Sequence, residues 1–267
     1  MKIVHIDEVL PERMQQSDGW AISEFRLPVT GEDGSSTTMF HATFRPGSVH
    51  AKHVHMKCDE IVAYMSGKGV IGQGRGRAEV SGGHRRWIPQ GSEHFFFNET
   101  ESEVALVIGF YANATSVAAT GYEHRGPVEP ADIERPFQRP GEGSLVTVQE
   151  SPAVDASACP AWAQARVRMS VGRHTGAANA LLDIDLPPGA SIGPYRFPAC
   201  EQIYAVVGGR GLIRAPEVEA SVRPGHVIFV PAAAQIAVEN TGDSEVFSMV
   251  GLLTGAGDLT EARCESV

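Results

Sequence analysis

Short runs of β-branched, aromatic and aliphatic residues, broken every few positions by Gly, Pro or Asn, set the pattern of this chain. Almost no window sustains an apolar period of 3.6. The runs at 39–44, 60–65, 105–111, 181–186, 202–207, 227–230 and 246–253 read as strands, and the glycine turns at 66–69, 81–83 and 208–209 as tight hairpin connections. The fold predicted is all-β, closed or sandwiched. The segment 120–144 breaks the strand pattern with Pro127, Pro130, Pro136 and Pro140 among charged residues and glycines, and it reads as a linker with one helical turn at 130–134. The tail 260–267 is polar and reads as frayed or as a short helix.

The punctuation recurs. Trp20 and Trp162, Gly47 and Gly189, Gly83 and Gly225, Pro89 and Pro231, and Asn98 and Asn240 share one offset of about 142 residues, a domain-sized period. Solenoid repeats are far shorter, so this is a duplicated domain. Matching Glu60 to Glu201 lowers the offset by one, as if a residue were missing from the second copy's loop. The expected division is a first domain at 1–125, a linker at 126–144 and a second domain at 145–267.

Charge narrows the range of partners. The formal net charge is -10 and Lys and Arg form no long run. Arg75, Arg77, Arg85 and Arg86 lie together in a glycine-rich stretch and read as solvated hairpin arginines, so nucleic acid is not an expected partner. Asp7 and Glu8 near the start, and the lack of a long apolar core there, argue against a secretory signal and a membrane span. Cys58, Cys159, Cys200 and Cys264 are scattered without CxxC spacing, so neither a zinc ribbon nor a dense disulfide framework is expected, and a cytoplasmic location is the default.

The candidate chemistry lies in the first copy. His53 and His55 are separated by one residue, which in a strand puts both imidazoles on one face. Glu60 follows after a short excursion and can add an anionic oxygen, and His94 arrives from a distant part of the chain just after Pro89 and Gly91. Three nitrogens and one carboxylate oxygen suit Fe, Mn, Co, Ni, Cu or Zn better than Ca or Mg, which prefer oxygen. Tyr64 shares strand parity with Glu60, so an inward Glu60 implies an inward Tyr64 whose hydroxyl could orient a substrate. His50, just before the ligand pair, is a candidate acid-base group, with a solvated loop histidine as the plainer reading. Cys58 lies in the ligand loop and reads as an ordinary buried or half-exposed cysteine. Alternation after His94 sends Phe96 inward and Phe95 and Phe97 outward.

Gly47, His53, His55, Glu60 and Gly67 in one stretch, and Gly83, Pro89, Gly91, His94 and Asn98 in the next, resemble the two signatures of the cupin superfamily at every defined position. The resemblance implies two double-stranded β-helix barrels, jelly-roll-like, with His53, His55, Glu60 and His94 inward on one metal; the repeat makes the chain similar to bicupins. In the second copy Tyr195, Phe197 and Ile236 stand where the three histidines stood, so a degenerate barrel without metal ligands is expected, with Arg196 facing away. One divalent transition metal per chain is expected, Fe or Mn first, then Zn, Ni, Co or Cu. The leading function is a metal-dependent dioxygenase on a small organic molecule, with Glu60 also the candidate base. A Lewis-acid isomerase, cyclase, lyase or hydrolase is the alternative, and a noncatalytic metal- or ligand-binding protein the third reading. A homodimer formed through strand edges is expected.

Overall fold

The computed structural model describes residues 1–15, 19–138, 141–155, 157 and 159–267. Almost all regular structure is β, in four antiparallel sheets, and the helices are single turns. The strands Thr38–Phe44, Asp59–Ser66, Ala105–Ala112, Ala180–Leu186, Gln202–Gly208, His226–Val230 and Phe247–Leu253 coincide with the apolar runs to within a residue or two at each end.

Two compact units divide the chain. One comprises Val9–Glu32 and Ser36–Thr147; the other comprises Met1–Glu8, Asp33–Ser35 and Val148–Val267. We call them the N-terminal and C-terminal barrels. These bounds differ from a split at 1–125, 126–144 and 145–267 because each barrel takes its edge strand from the other copy. Lys2–His5 pairs with His226–Val230, with Lys2 opposite Phe229, and Ser144–Thr147 pairs with His84–Ile88, with Ser144 opposite Trp87. The two pairings are the same registration shifted by about 142 residues. A four-residue strand covers an otherwise open edge equally well in either barrel.

In the N-terminal barrel one sheet runs Tyr122–Gly126, Val49–His55, His94–Phe97, Lys68–Gln73, Gly76–Ser81, with Trp20–Ala21 also on Val49–His55. The facing sheet runs Ser144–Thr147, His84–Ile88, Asp59–Ser66, Ala105–Ala112, Thr38–Phe44, Glu24–Val29. Phe25, Phe40, Phe44, Val62, Ile71, Ile88, Phe96 and Tyr111 fill the space between them. Close packing fixes some small residues: a Cβ on Gly72 would come within 2.0 Å of the Phe95 ring, which lies opposite it. The C-terminal barrel repeats the plan around Trp162, Tyr195, Phe197, Ile228, Phe247 and Met249.

One expectation changes here, and two others gain detail. The segment 120–144 is not strand-free, since Tyr122–Gly126 adds to the edge of Val49–His55 before the single helical turn Pro130–Glu134; residues 139 and 140 of the expected linker lie outside the described residues. The tail forms a short helix, one of the two forms expected for it, at Leu259–Ala262, capped by Asp258 accepting from the Glu261 amide at 2.8 Å, and then the short strand Glu265–Ser266. A disulfide joins Cys159 to Cys264 across a sequence separation of 105, tying the tail to the C-terminal barrel, while Cys58 and Cys200 are free and buried. No helix among the described residues is long and apolar enough to cross a membrane.

Candidate metal centre

Strand alternation puts His53 and His55 on the inner face of Val49–His55, and antiparallel pairing sets His94 directly opposite His53. Glu60 enters from the facing sheet as the second residue of Asp59–Ser66. One donor atom from each of the four residues lies within 4.8 Å of the others, and all four side chains are buried. Two strands of one sheet and one strand of the other therefore meet at a single point inside the barrel.

Hydrogen bonds select the imidazole tautomers. His53 Nδ1 donates to the Ala51 carbonyl at 2.7 Å and His94 Nδ1 to the Ser92 carbonyl at 2.8 Å, each two residues back. That leaves the Nε2 lone pair of His53 free for an acceptor role, while Nε2 of His94 is turned to Glu60. His94 Nε2 lies 2.9 Å and His55 Nε2 3.0 Å from the same Glu60 oxygen, Oε2. His53 Nε2 and both nitrogens of His55 have no hydrogen-bond partner, so the 3.0 Å approach of His55 to Glu60 is a close contact only.

Burial lowers the pKa of His53 well below the ordinary imidazole range and lowers that of His94, so both rings stay neutral near pH 7. Burial by itself would raise the Glu60 carboxyl, but the His55 and His94 rings against its Oε2 outweigh it and hold the group well below the usual carboxylate range. Three imidazole nitrogens around one carboxylate oxygen are the donor set of a divalent transition metal, and the residues fit such an ion.

Aromatic rings wall the centre. His50 is a strand residue, not a solvated loop histidine: it is buried, its ring stacks on His53 with centroids 3.7 Å apart, and Trp20 lies 4.1 Å away on it. The Trp20 strand pairs with this part of Val49–His55, so burial of His50 follows from a neighbour that local sequence does not reveal. Tyr122 lies 5.2 Å from the His53 ring, and Tyr111, directly opposite Glu60, lies 4.8 Å from the His55 ring. Burial and the nearby Glu60 charge raise the Tyr111 hydroxyl well above the ordinary phenol range. Burial, reinforced by Glu60 and Asp59, pushes the Cys58 thiol up to about 12, which makes it a poor nucleophile.

Tyr64 is buried and lines a cavity of about 30 Å³ beside the donor set, together with His50, Arg86, Phe96 and Tyr111. By this measure one water needs about 10–15 Å³, so the cavity has room for about two or three. Phe95 is buried and borders the cavity with Phe96, whereas Phe97 is partly exposed. A register irregularity between His94 and Phe96 disturbs simple alternation there.

Arg85 and Arg86 are not solvated. Arg85 is 4% and Arg86 1% exposed, and Arg86 occupies the barrel interior. A glycine-rich hairpin suggests surface, but Arg86 shares inward parity with Ile88 on His84–Ile88, and the pairing of that strand with Asp59–Ser66 turns this parity toward the site. Arg75 is exposed and Arg77 pairs with Glu79 at 3.1 Å.

The C-terminal barrel carries a neutral version of the same interior. Tyr195 pairs with Ile236 as His53 pairs with His94. Gln202, not Glu201, stands at the position of Glu60: it pairs with Val230 and Leu253, as Glu60 pairs with Ile88 and Tyr111. The offset of about 142 therefore holds through the loop, and no residue is missing there. Tyr195 Oη and Tyr204 Oη each donate to Gln202 Oε1 at 2.7 Å. Arg196 is exposed and paired with Glu265 at 2.7 Å.

Residues 16–137 match the family model described as Cupin. No curated protein matches the chain. Among solved structures, a mutant of Bacillus subtilis oxalate decarboxylase superposes with a TM-score of 0.72 at 14% identity, covering 99% of this chain and 79% of that one. Lactobacillus farciminis oxalate decarboxylase in its formate complex superposes with a TM-score of 0.71 at 11% identity, covering 99% and 88%. A further Bacillus subtilis oxalate decarboxylase structure, TM-score 0.71 at 14% identity with 99% and 79% covered, concerns that protein's Mn(II) centres. At such identities the likeness speaks for the fold.

Proposed function

We propose that this chain, whose residues 16–137 match the cupin family and which carries one metal-site barrel and one degenerate barrel, is a mononuclear metal-dependent enzyme that cleaves a small oxygen-bearing organic molecule as a lyase. The observation that carries the reading is the buried donor set His53, His55, Glu60 and His94, with donor atoms within 4.8 Å. A divalent ion held there, Mn or Fe first among the candidates, supplies a Lewis acid for a bound carboxyl or carbonyl oxygen.

The chain's own residues do the rest. The Ala51 and Ser92 carbonyls fix the tautomers of His53 and His94, so their Nε2 atoms face the site as acceptors. Glu60 stays ionised at neutral pH and would supply the one anionic oxygen of the donor set, its depressed pKa making it a weak base. Phe44, Phe96, Val107 and Tyr111 around the small cavity exclude bulk water, which strengthens electrostatic interactions with a developing charge. The cavity's size favours a substrate of few heavy atoms.

The lyase assignment is supported by the oxalate decarboxylases that share the bicupin fold. A dioxygenase is the second reading, favoured by a nitrogen-rich donor set that suits redox-active Fe or Mn. Incubating the Mn(II)-loaded and Fe(II)-loaded protein with small acids, diols and diketones, while following substrate loss and dissolved oxygen, separates them. Turnover without oxygen uptake supports the lyase; stoichiometric uptake transfers the assignment to the dioxygenase; no turnover that His94→Ala abolishes would overturn both.

A further inference from the structure

Arg86 puts a permanent positive charge inside the N-terminal barrel. It stands opposite Val62, which makes it a diagonal neighbour of Glu60 and Tyr64 on the inner face of the adjacent strand, and it borders the same cavity as His53, Glu60 and His94. Nη2 donates to the Gly72 carbonyl and to Gln73 Oε1, each at 3.0 Å, and the guanidinium shares a hydrogen bond with the Tyr64 hydroxyl. None of these partners is charged, and Nε has no partner.

Charge balance turns this into a statement about ligand. Glu60 is the one buried carboxylate among the described residues. With a divalent ion held there, ion, carboxylate and guanidinium together leave an excess of about two positive charges in a low-dielectric interior. An excess of that kind is costly until an anion enters. The C-terminal barrel shows the contrast: Ile228 pairs with Tyr204 at the register where Arg86 pairs with Val62, and the carboxylate and histidine positions there hold Gln202, Tyr195, Phe197 and Ile236. The inward arginine and the donor set occur in the same barrel, and neither occurs in the other.

We propose that Arg86 is a specificity-determining residue that selects a small dianionic substrate, pairing with one anionic group while the other is directed to the His53, His55, Glu60 and His94 side. This rests on the metal-enzyme reading above. Arg86 carries out no bond-making step; it fixes the charge and orientation of what binds.

Calorimetric titration of the Mn(II)-loaded protein with oxalate, a dianion, and glycolate, a monoanion, tests it, with metal content measured on the same samples. Oxalate binding the unaltered protein about tenfold or more tighter than glycolate is expected, and Arg86→Gln, with its metal retained, is expected to weaken oxalate about 10- to 100-fold, the usual range for losing a charge-assisted hydrogen bond. Arg86→Met, which keeps the apolar stem, gives the same reading if the glutamine variant does not fold. Equal affinity of the unaltered protein for the two anions, or variant affinity for oxalate within about twofold, would overturn the assignment. Unaltered protein that takes up no Mn(II) would instead overturn the metal-enzyme reading beneath it.

Discussion

The His50 ring lies on the His53 ring with centroids 3.7 Å apart and planes 21° apart, and Trp20 closes the far side of His50. The stack holds His53 in place together with its Nδ1 hydrogen bond to Ala51. His50→Ala opens a gap on one face of a metal ligand without removing a donor. The expected outcome is a folded protein with metal affinity about tenfold weaker, within the range for residues that orient ligands. Competition with a chelator checks it, and unchanged affinity would show the stack to be packing alone.

Loss of His53 or His94 acts on the donor set itself. Elemental analysis of the reconstituted protein is expected to give about one metal per chain, and His53→Ala or His94→Ala to abolish it, because each removes one nitrogen donor from the set of four. Metal at a hundredfold excess over its dissociation constant should stabilise the fold by about 2.7 kcal/mol, read as a rise in Tm that a chelator reverses. Two metals per chain would contradict a neutral C-terminal interior.

Tyr195 and Gln202 give the complementary experiment. Tyr195→Phe removes one of two hydroxyls donating to Gln202 Oε1, at a cost of about 1 kcal/mol, and metal content should not change. A fall in bound metal would mean that the C-terminal barrel takes part in holding it.

Acid should weaken the metal-free protein. Burial lowers the folded pKa of His50, His53 and His94 below the ordinary 6.5, so as pH falls the unfolded chain binds protons at these rings before the folded chain does. Their contribution to stability is present above about pH 6.5 and is lost below it. Glu60, whose folded pKa lies below 4.5, adds a loss of the same sign at lower pH. Thermal unfolding after chelation is expected to show a lower Tm at about pH 5.5 than at about pH 7.5; an equal or higher value at the acid pH would contradict the burial argument.

The Cys159–Cys264 bridge closes a loop across a separation of 105 residues. Cys264→Ser should lower stability by about 2–4 kcal/mol in oxidised protein. It should have no effect under reducing conditions, since the unaltered protein then lacks the bridge as well. Peptide mapping without reductant tests the pairing directly.

Strands such as Thr38–Phe44 and Asp59–Ser66 were legible because alternation of apolar residues is a local property. The metal centre was legible because its residues recur at fixed spacings between glycines and prolines that shape turns. Arg86 was not, because its parity points inward only once His84–Ile88 is paired with Asp59–Ser66. Nor was the match of Glu60 to Gln202: residue identity favoured Glu201, and only the ladder partners Val230 and Leu253 decide the register.

The sequence by itself determined two all-β copies, the turns that punctuate them, and the confinement of His53, His55, Glu60 and His94 to the first. The tertiary structure decided which barrel receives Lys2–His5 and Ser144–Thr147, that His50 lies under Trp20, and that a guanidinium shares the interior with the donor set. Spacing along a chain fixes which face of a strand a side chain occupies. Which partner that face meets is set by hydrogen-bond register between segments far apart in sequence, and burial, charge balance and tautomer all follow from the partner.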